Sequence, residues 1–367
     1  MDYFPQALAS GAAFCNRIEE QKRLRNNLIE SRPTLLVSPR RYGKTSLALY
    51  TINKSKLHYA QFDFLSAVSI EDVEQIILNG IGKLINSIEK GVKGALKLAT
   101  DLFAGLSIKL SSDALGLSVE INRKPEKSAT SILSILERAE KLAKKYDEKI
   151  VLLFDEFQRV YQISNDYAVE SVIRQVAQAS KHLSFVFSGS NRHLLNQMFE
   201  DRNRPFYKLC DRMTLNRINQ KDYIDYFGKV ANKTGKKITL EAMETIFHYT
   251  KCHPYYINLL CSRLWNRKNI TPQQVELEWH TFTFEERSQV ANEIDLLSNS
   301  QRKLLVALSR SGGTTAPRSK EFQVFANMPG ATIAQSLKFL ERNDYVYVDE
   351  ENTYRVLDPV IMHVLAA

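Results

Sequence analysis

The sequence predicts an α/β protein on a doubly wound parallel sheet, because three apolar runs, separated by helical patterns, each end in a cluster of polar residues. Thr34-Leu35-Leu36-Val37 runs into Ser38-Pro39-Arg40-Arg41-Tyr42-Gly43-Lys44-Thr45-Ser46 and then the helix-like Leu47-Ala48-Leu49-Tyr50. Lys149 to Phe154 ends in Asp155-Glu156, and Leu183 to Ser188 ends in Gly189-Ser190-Asn191-Arg192. Uninterrupted apolar runs of this length read as strands buried on both faces of a parallel sheet. Such sheets bind ligands at the carboxyl edge, where all three polar clusters emerge.

The first cluster has the spacing of a phosphate-gripping loop. Backbone N–H groups fold around phosphate oxygens, Lys44 reaches the β and γ oxygens, and the Thr45 hydroxyl serves Mg²⁺. Ser38 stands where the pattern G-x-x-x-x-G-K-[ST] has its first glycine, and an ordinary helix N-terminus with a solvated lysine would also read Gly43-Lys44-Thr45. In the second cluster Asp155 can face Mg²⁺ through its water shell while Glu156 orients the attacking water; two acids after a strand can also simply cap a helix. In the third, Ser190 or Asn191 can contact a γ-phosphate or the lytic water, or the Gly-Ser-Asn turn can cap the helix that starts at Arg192. A Gly-Lys-Thr loop and a strand-terminal acid pair in this order point together to a nucleoside triphosphate.

These residues carry a family resemblance. Phe14-Cys15-Asn16-Arg17-Ile18-Glu19-Glu20 resembles the F-x-G-R-E-x-E opening of the archaeal-type ATPases, a branch of the STAND and AAA+ P-loop proteins. Pro39 to Ser46 is similar to that family's P-R-R-x-G-K-T-S, and Leu153-Phe154-Asp155-Glu156-Phe157-Gln158 to its hhDEhQ. His253-Pro254-Tyr255-Tyr256 resembles its lid motif G-H-P-Y-Y, and the segment ending in Asp358-Pro359 its C-terminal winged helix. The resemblance covers nearly the whole chain. It implies ATP and Mg²⁺ as cofactors. The nucleotide contacts would be Asn16, Arg17, Pro39, Arg40, Arg41, Tyr42, Gly43, Lys44, Thr45, Ser46 and Pro254, with Thr45 and Asp155 on the metal. Glu156, Lys44, Ser190, Asn191 and Arg204 would take catalytic parts. Asn16, Ser38 and Cys252 replace family glycines and reduce access to positive φ, so hydrolysis is expected to be slow.

At 367 residues, with 44% hydrophobic and 25% charged residues, the chain has the composition of a soluble globular protein of two or three domains. Its four cysteines form no C-x-x-C pair and have no histidine at zinc-ligand spacing, which suggests reduced structural thiols and no metal beyond nucleotide-bound Mg²⁺. The start of the sequence lacks signal-peptide blocks, and no run reaches the roughly eighteen apolar residues of a membrane span, so a cytoplasmic location is expected.

Along the chain, Ile18 to Glu30 reads as a helix, Leu57 to Phe64 as a strand, and Ser69 to Glu89 as a helix capped by Ser69 with Asp72 three residues on. Residues 1–217 are assigned to the ATPase core, with an insertion at 82–124, residues 218–293 to a helical lid, and residues 294–367 to a winged helix. Within the insertion, Gly82 to Gly105 is read as amphipathic. Ile85, Ile88, Val92, Leu96, Ala99 and Phe103 share one face, and Lys83, Lys90, Lys93 and Lys97 the other. Such a helix either packs on the core with a solvated basic face or meets lipid or a partner. A hairpin is expected from Leu106 to Leu110 and Leu117 to Ile121. Arg212 to Leu215 reads as a fifth strand, and segments near 221–233, 240–249 and 255–267 as lid helices. Pro254 suits a first helical position, with or without a contact to base or sugar.

The net charge of +9 keeps nucleic acid among the candidate partners. Arg202, Arg204, Lys208, Arg212 and Arg217 cluster between the third strand and the lid, as a phosphate-binding patch or as a source of an arginine for a neighbouring copy. The tip Asp349-Glu350-Glu351 opposes phosphate. The reading that follows is an ATP-hydrolysing switch that recruits a protein through the winged helix or the basic insertion, with a homo-oligomer as a further candidate assembly. The alternatives are a DNA-dependent ATPase of mobile-element or initiator type and a scaffold that binds nucleotide without turnover.

Overall fold

Apolar runs that continue without interruption become the central strands of a five-stranded parallel sheet in the computed structural model. The model describes residues 2–89, 92–103, 108–113, 116–121, 128–164 and 166–367. The chain divides into two units, Arg17–Asn216 and a second made of Met1–Asn16 with Arg217–Ala367. The first contains α1 (Ile18–Ile29), β1 (Thr34–Val37), α2 (Lys44–Lys54), β2 (His58–Asp63), α3 (Ile70–Ile88), α4 (Val92–Leu102), β3 (Ile108–Asp113) and β4 (Gly116–Ile121). It continues with α5 (Ser128–Tyr146), β5 (Ile150–Asp155), α6 (Gln158–Ile163), α7 (Ala168–Ala179), β6 (Leu183–Gly189), α8 (Arg192–Glu200) and β7 (Asp211–Thr214).

The sheet order is β2-β5-β6-β1-β7, with every neighbouring pair parallel. Every residue of β1, β5 and β6 is buried, which is why these strands show no alternation of apolar and polar residues. Register brings Val37 level with Gly189 and Thr214, and Phe154 level with Phe187. With β6 lying between β1 and β5, Ser188 to Ser190 falls between the loop after β1 and the acids after β5. A layer of phenylalanines underlies this edge. Phe154 meets Phe62 at 4.8 Å and Phe187 at 5.2 Å, and Phe157 meets Phe187 at 4.8 Å and Phe206 at 5.4 Å. Pairs of this kind contribute about 0.5–1.5 kcal/mol each beyond their buried area, and they stiffen the floor on which the polar residues stand.

Ser69 and Asp72 form the expected reciprocal cap on α3. The amphipathic segment of the insertion differs from expectation, since α3 stops at Ile88 and α4 starts at Val92. The break restarts the helical phase, so Leu96 is 39% exposed while Ala95, Leu98 and Leu102 join Ala99 and Phe103 in the core. Lys90, Gly105, Leu106 and Ser107 lie outside the described residues. The hairpin forms as β3 and β4, with Ile108 opposite Ile121.

The second unit contains α9 (Gln220–Thr234), β8 (Lys237–Ile238), α10 (Leu240–Thr250), α11 (Pro254–Leu264), β9 (Asn269–Ile270), α12 (Pro272–Glu285), α13 (Arg287–Asp295), α14 (Asn299–Ser311), α15 (Lys320–Ala326), α16 (Gly330–Arg342), the antiparallel pair β10 (Val346–Val348) and β11 (Tyr354–Val356), and α17 (Pro359–Ala366). One buried cluster runs through it from Phe4 to Ile361. Arg217 donates to the carbonyls of Lys251 and Leu357, both at 2.7 Å, and its guanidinium lies over the Tyr347 ring. Asp358 caps α17 through the N–H groups of Val360 and Ile361 and accepts from the Tyr256 hydroxyl at 2.5 Å. Arg217, Tyr256 and Asp358 therefore lock the early helices of the unit to its last strand and helix.

No periodic pattern marks the role of Phe4. Its ring is 2% exposed, 4.5 Å from Trp265 and within 6 Å of Tyr226 and Phe227, while Tyr226 and Asn258 donate to the carbonyls of Tyr3 and Pro5. Emptying this site in Phe4→Ala is expected to destabilise the unit by about 3–5 kcal/mol. Both tryptophans of the chain, Trp265 and Trp279, belong to this unit, so the midpoint of denaturant unfolding followed by tryptophan fluorescence checks the loss.

Candidate functional site

Three polypeptide segments converge at the carboxyl edge of the sheet, the loop and helix start after β1, the residues after β5 and the end of β6. Gly43, at φ 86°, is the N-cap of α2 and makes no side-chain cap bond, and Lys44, Thr45 and Ser46 form the first turn that follows it. A helix start of this kind, with its positive dipole end, is suited to phosphate oxygens. Lys44 is buried and its Nζ donates to the carbonyls of Ser38 and Pro39, both at 3.0 Å, and to Ser38 Oγ. The lysine thus spans the loop that it would share with an anion, and Ser38, in the place of the first motif glycine, serves as one of its acceptors.

Asp155 ends β5 and is 8% exposed. Its Oδ2 accepts from Thr45 Oγ1 at 2.7 Å, and its Oδ1 accepts from Ser188 Oγ at 2.6 Å and from the Glu156 N–H at 3.1 Å. One hydroxyl and one carboxylate, 2.7 Å apart and beside a helix N-terminus, form an all-oxygen donor set of the type Mg²⁺ takes when phosphates and water complete its shell. Among the described residues no group of three His, Cys, Asp or Glu side chains could hold a metal by protein ligands alone.

Glu156 leaves the strand at φ 50°, in the left-handed region that costs a non-glycine residue about 1–2 kcal/mol. Its Oε2 accepts from Gln158 Nε2 at 2.5 Å and from Ser190 Oγ at 2.8 Å. Ser190 Oγ in turn accepts from Arg40 Nε of the loop at 3.2 Å. The structure thus brings together Arg40, Lys44, Thr45, Asp155, Glu156 and Ser190. It adds Ser188, and it adds Gln158, which closes the matched hhDEhQ segment but has no assigned role there. Ser188 has one sequence signal, a hydroxyl at the carboxyl end of a mostly apolar run.

Other candidates are engaged elsewhere. Asn191 is the N-cap of α8, its side chain accepting from the Leu194 N–H at 3.0 Å. Arg17 is 6% exposed and donates to the carbonyls of Tyr42 in the loop and Asn216, at 3.0 and 2.9 Å. Arg41, at φ 63°, is exposed, whereas Pro39, Tyr42 and Ser46 are buried. Pro254 opens α11 in the second unit. Of the three residues that replace family glycines, Asn16 and Cys252 adopt the left-handed conformation regardless, at φ 46° and 57°, and Ser38 does not require it. The expected loss of positive φ therefore does not occur; two of these positions carry the strain instead.

Arg204 is buried with its guanidinium 4.4 Å from the centre of the Tyr161 ring and 4.1 Å from that of Tyr167, and it pairs with Glu170 at 2.7 Å. Arg212 pairs with Glu200, and Arg217 is committed within the second unit, so the arginine cluster of the sequence disperses in space and leaves Arg202 and Lys208 exposed. Burial pushes the Glu170 carboxyl up to about 7, outweighing the attraction of Arg204. A folded-state value above the unfolded value of about 4.5 favours the protonated native form, so this contribution is complete below about pH 4.5 and is lost as pH rises through 7. The loss amounts to about 3 kcal/mol. Glu170→Gln is expected to flatten unfolding free energy against pH across this window, and urea titrations from pH 4.5 to 8 check it.

No protein-family model matches the chain, and no curated protein matches it by sequence. Among solved structures, the Walker-type ATPase Paby2304 of Pyrococcus abyssi is similar over 100% of both chains, at 14% identity and a TM-score of 0.72. The ORC2 protein of Aeropyrum pernix, in its ADPNP–ADP complexes, is similar over 99% of this chain and 96% of that one, at 13% identity and a TM-score of 0.60. Its ADP form gives 100% and 98%, 13% and 0.57. At these identities the likeness concerns the fold, and the chain has the α/β fold of P-loop ATPases of the AAA+ kind.

Proposed function

We propose that the chain binds ATP with Mg²⁺ and hydrolyses it, coupling nucleotide state to recruitment of a protein partner as STAND and AAA+ switches do. The observation that carries this reading is the 2.7 Å bond between Thr45 Oγ1 and Asp155 Oδ2, beside Lys44 and Glu156. Two motifs 110 residues apart in sequence meet here with the donors that a nucleotide and its metal require. The fold shared with a Walker-type ATPase and with a protein solved with ADPNP and ADP supports it.

In this reading the N–H groups at the start of α2 and the Lys44 ammonium hold the phosphates. Thr45 and Asp155 hold the metal, which when bound neutralises charge on the phosphate oxygens. Glu156 orients the attacking water and accepts its proton, and Ser190 stands beside it. Lys44→Ala is expected to remove most affinity for a labelled ATP analogue, while Glu156→Gln keeps binding and stalls turnover. Equilibrium titration and phosphate release check the pair. Unchanged affinity in a folded Lys44→Ala protein places the site elsewhere, and wild-type turnover no greater than that of Glu156→Gln leaves only the nucleotide-binding scaffold.

The lid, 218–293, and the winged helix, 294–367, are taken as the partner-facing part. Their shared core supports movement as one body rather than a change of angle between them. Within the wing Arg355 donates to Asp349 at 2.5 Å and to the Gly312 carbonyl at 2.7 Å, so the cation nearest the tip is already used. This favours protein over DNA as the partner of the wing. The DNA-dependent alternative draws on the basic excess, which resides in residues 17–216 with 31 Lys and Arg against 23 Asp and Glu; the rest of the chain has 19 against 18. The full chain is expected to bind duplex DNA weakly at physiological salt, with what binding exists lost on charge reversal at Arg202 and Lys208. Fluorescence anisotropy across a salt series checks it. Tight binding abolished instead by reversal at Lys338 and Arg342 would put the DNA-dependent ATPase first.

A further inference from the structure

Gln158 presents an arrangement that the motifs do not explain. It begins α6, is 5% exposed, and donates from Nε2 to Glu156 Oε2 at 2.5 Å. Its Oε1 is buried with no hydrogen-bond partner among the described residues. Burying an amide with one end unsatisfied is unfavourable, and the reverse orientation would set a carbonyl against a carboxylate, so the contact to Glu156 is what the residue is placed to make. Room for it comes from Gly189 at the end of β6, since a Cβ at that position would lie 2.0 Å from Gln158 Oε1.

Among the described residues, every hydrogen bond to the Glu156 side chain falls on the same oxygen. Oε2 accepts from Gln158 Nε2, from Ser190 Oγ and from the Ser190 N–H at 3.4 Å, and Ser190 Oγ accepts from Arg40. The backbone fixes the other end of the residue. Glu156 sits at φ 50°, with its own N–H on Asp155 Oδ1 and the next N–H, that of Phe157, on the Ser188 carbonyl. A carboxylate held at Oε2 in this way has one orientation, and Oε1 is the oxygen left to meet water.

We propose that Gln158, admitted by Gly189, is the positioning residue that sets the orientation of Glu156. The proposal rests on the reading of Glu156 as the residue that activates water. It also explains why β6 ends in glycine at a place where its backbone, outside the positive-φ region, makes no demand for one.

The test uses the full chain with Gln158→Met, which keeps the volume and removes the amide, and Gly189→Ala, which keeps the amide and takes its room. Both are expected to lower kcat by about ten- to a hundredfold while the Kd for an ATP analogue changes by less than about threefold. A second readout needs no nucleotide. In protein labelled with ¹⁵N-glutamine, one Gln158 side-chain amide proton should be displaced downfield by its bond to the carboxylate, and Glu156→Gln and Gly189→Ala should each remove the displacement. If Glu156→Gln stalls turnover while Gln158→Met and Gly189→Ala keep the wild-type kcat, or if the amide resonance does not respond to Glu156→Gln, the positioning role is overturned. Full turnover by Glu156→Gln overturns instead the reading of Glu156 on which the proposal stands.

Discussion

Asp155 lies in a nearly closed space at the end of β5, and burying its polar oxygens there is tolerated because each is given donors. The donors come from three places, the Thr45 hydroxyl on α2, the Ser188 hydroxyl on β6 and the N–H of Glu156. Satisfying these oxygens draws together the first turn of α2, β6 beside β5, and the left-handed turn straight after the aspartate. The start of α2, the pairing of β5 with β6 and the turn at Glu156 thus meet at one buried group. Beneath it the phenylalanine layer keeps the arrangement from relaxing, because moving β5 would separate Phe154 from both Phe62 and Phe187.

The sheet and the two principal motifs could be read in the residues because a strand buried on both faces has no choice but to be apolar, and its polar neighbours then mark the edge. Of the helices that follow Ile270, α12 and α13 have no separate reading in the sequence, whereas α14 and α16 fall where helices are expected at 300–309 and 332–342. Many of their buried positions serve a core shared by distant segments, and a local window shows only the fraction that faces it. The continuous amphipathic phase read from 82 to 105 fails for a different reason. A periodicity carried across residues 89–91 keeps its phase only if the helix continues, and the chain ends one helix and starts another there.

In the site itself, residue types conveyed chemistry but not commitment. Asn191 and Arg204 belong to the types that contact phosphate, yet one satisfies the first turn of α8 and the other fills an aromatic slot against Glu170. Nothing in a local pattern separates an arginine offered to a ligand from one consumed by the fold, since the difference lies in a partner 34 residues away. Ser188 and Gly189 were hidden the same way, as their significance arises from the residues after β5 rather than from neighbours in sequence.

The attachment of Phe4 to the helices of the second unit has a consequence for biosynthesis. The unit Arg17–Asn216 is continuous in sequence and can complete its sheet as soon as β7 has emerged from the ribosome. The other unit is interrupted by all of it. Phe4 is synthesised first among the rings it joins and Trp265 last, so the aromatic cluster around Phe4 cannot close until most of the chain exists. A nascent chain carries Phe4 without these ring partners through the whole synthesis of the sheet. The helical unit is thus a late product of translation, and chains released before Trp265 cannot assemble it.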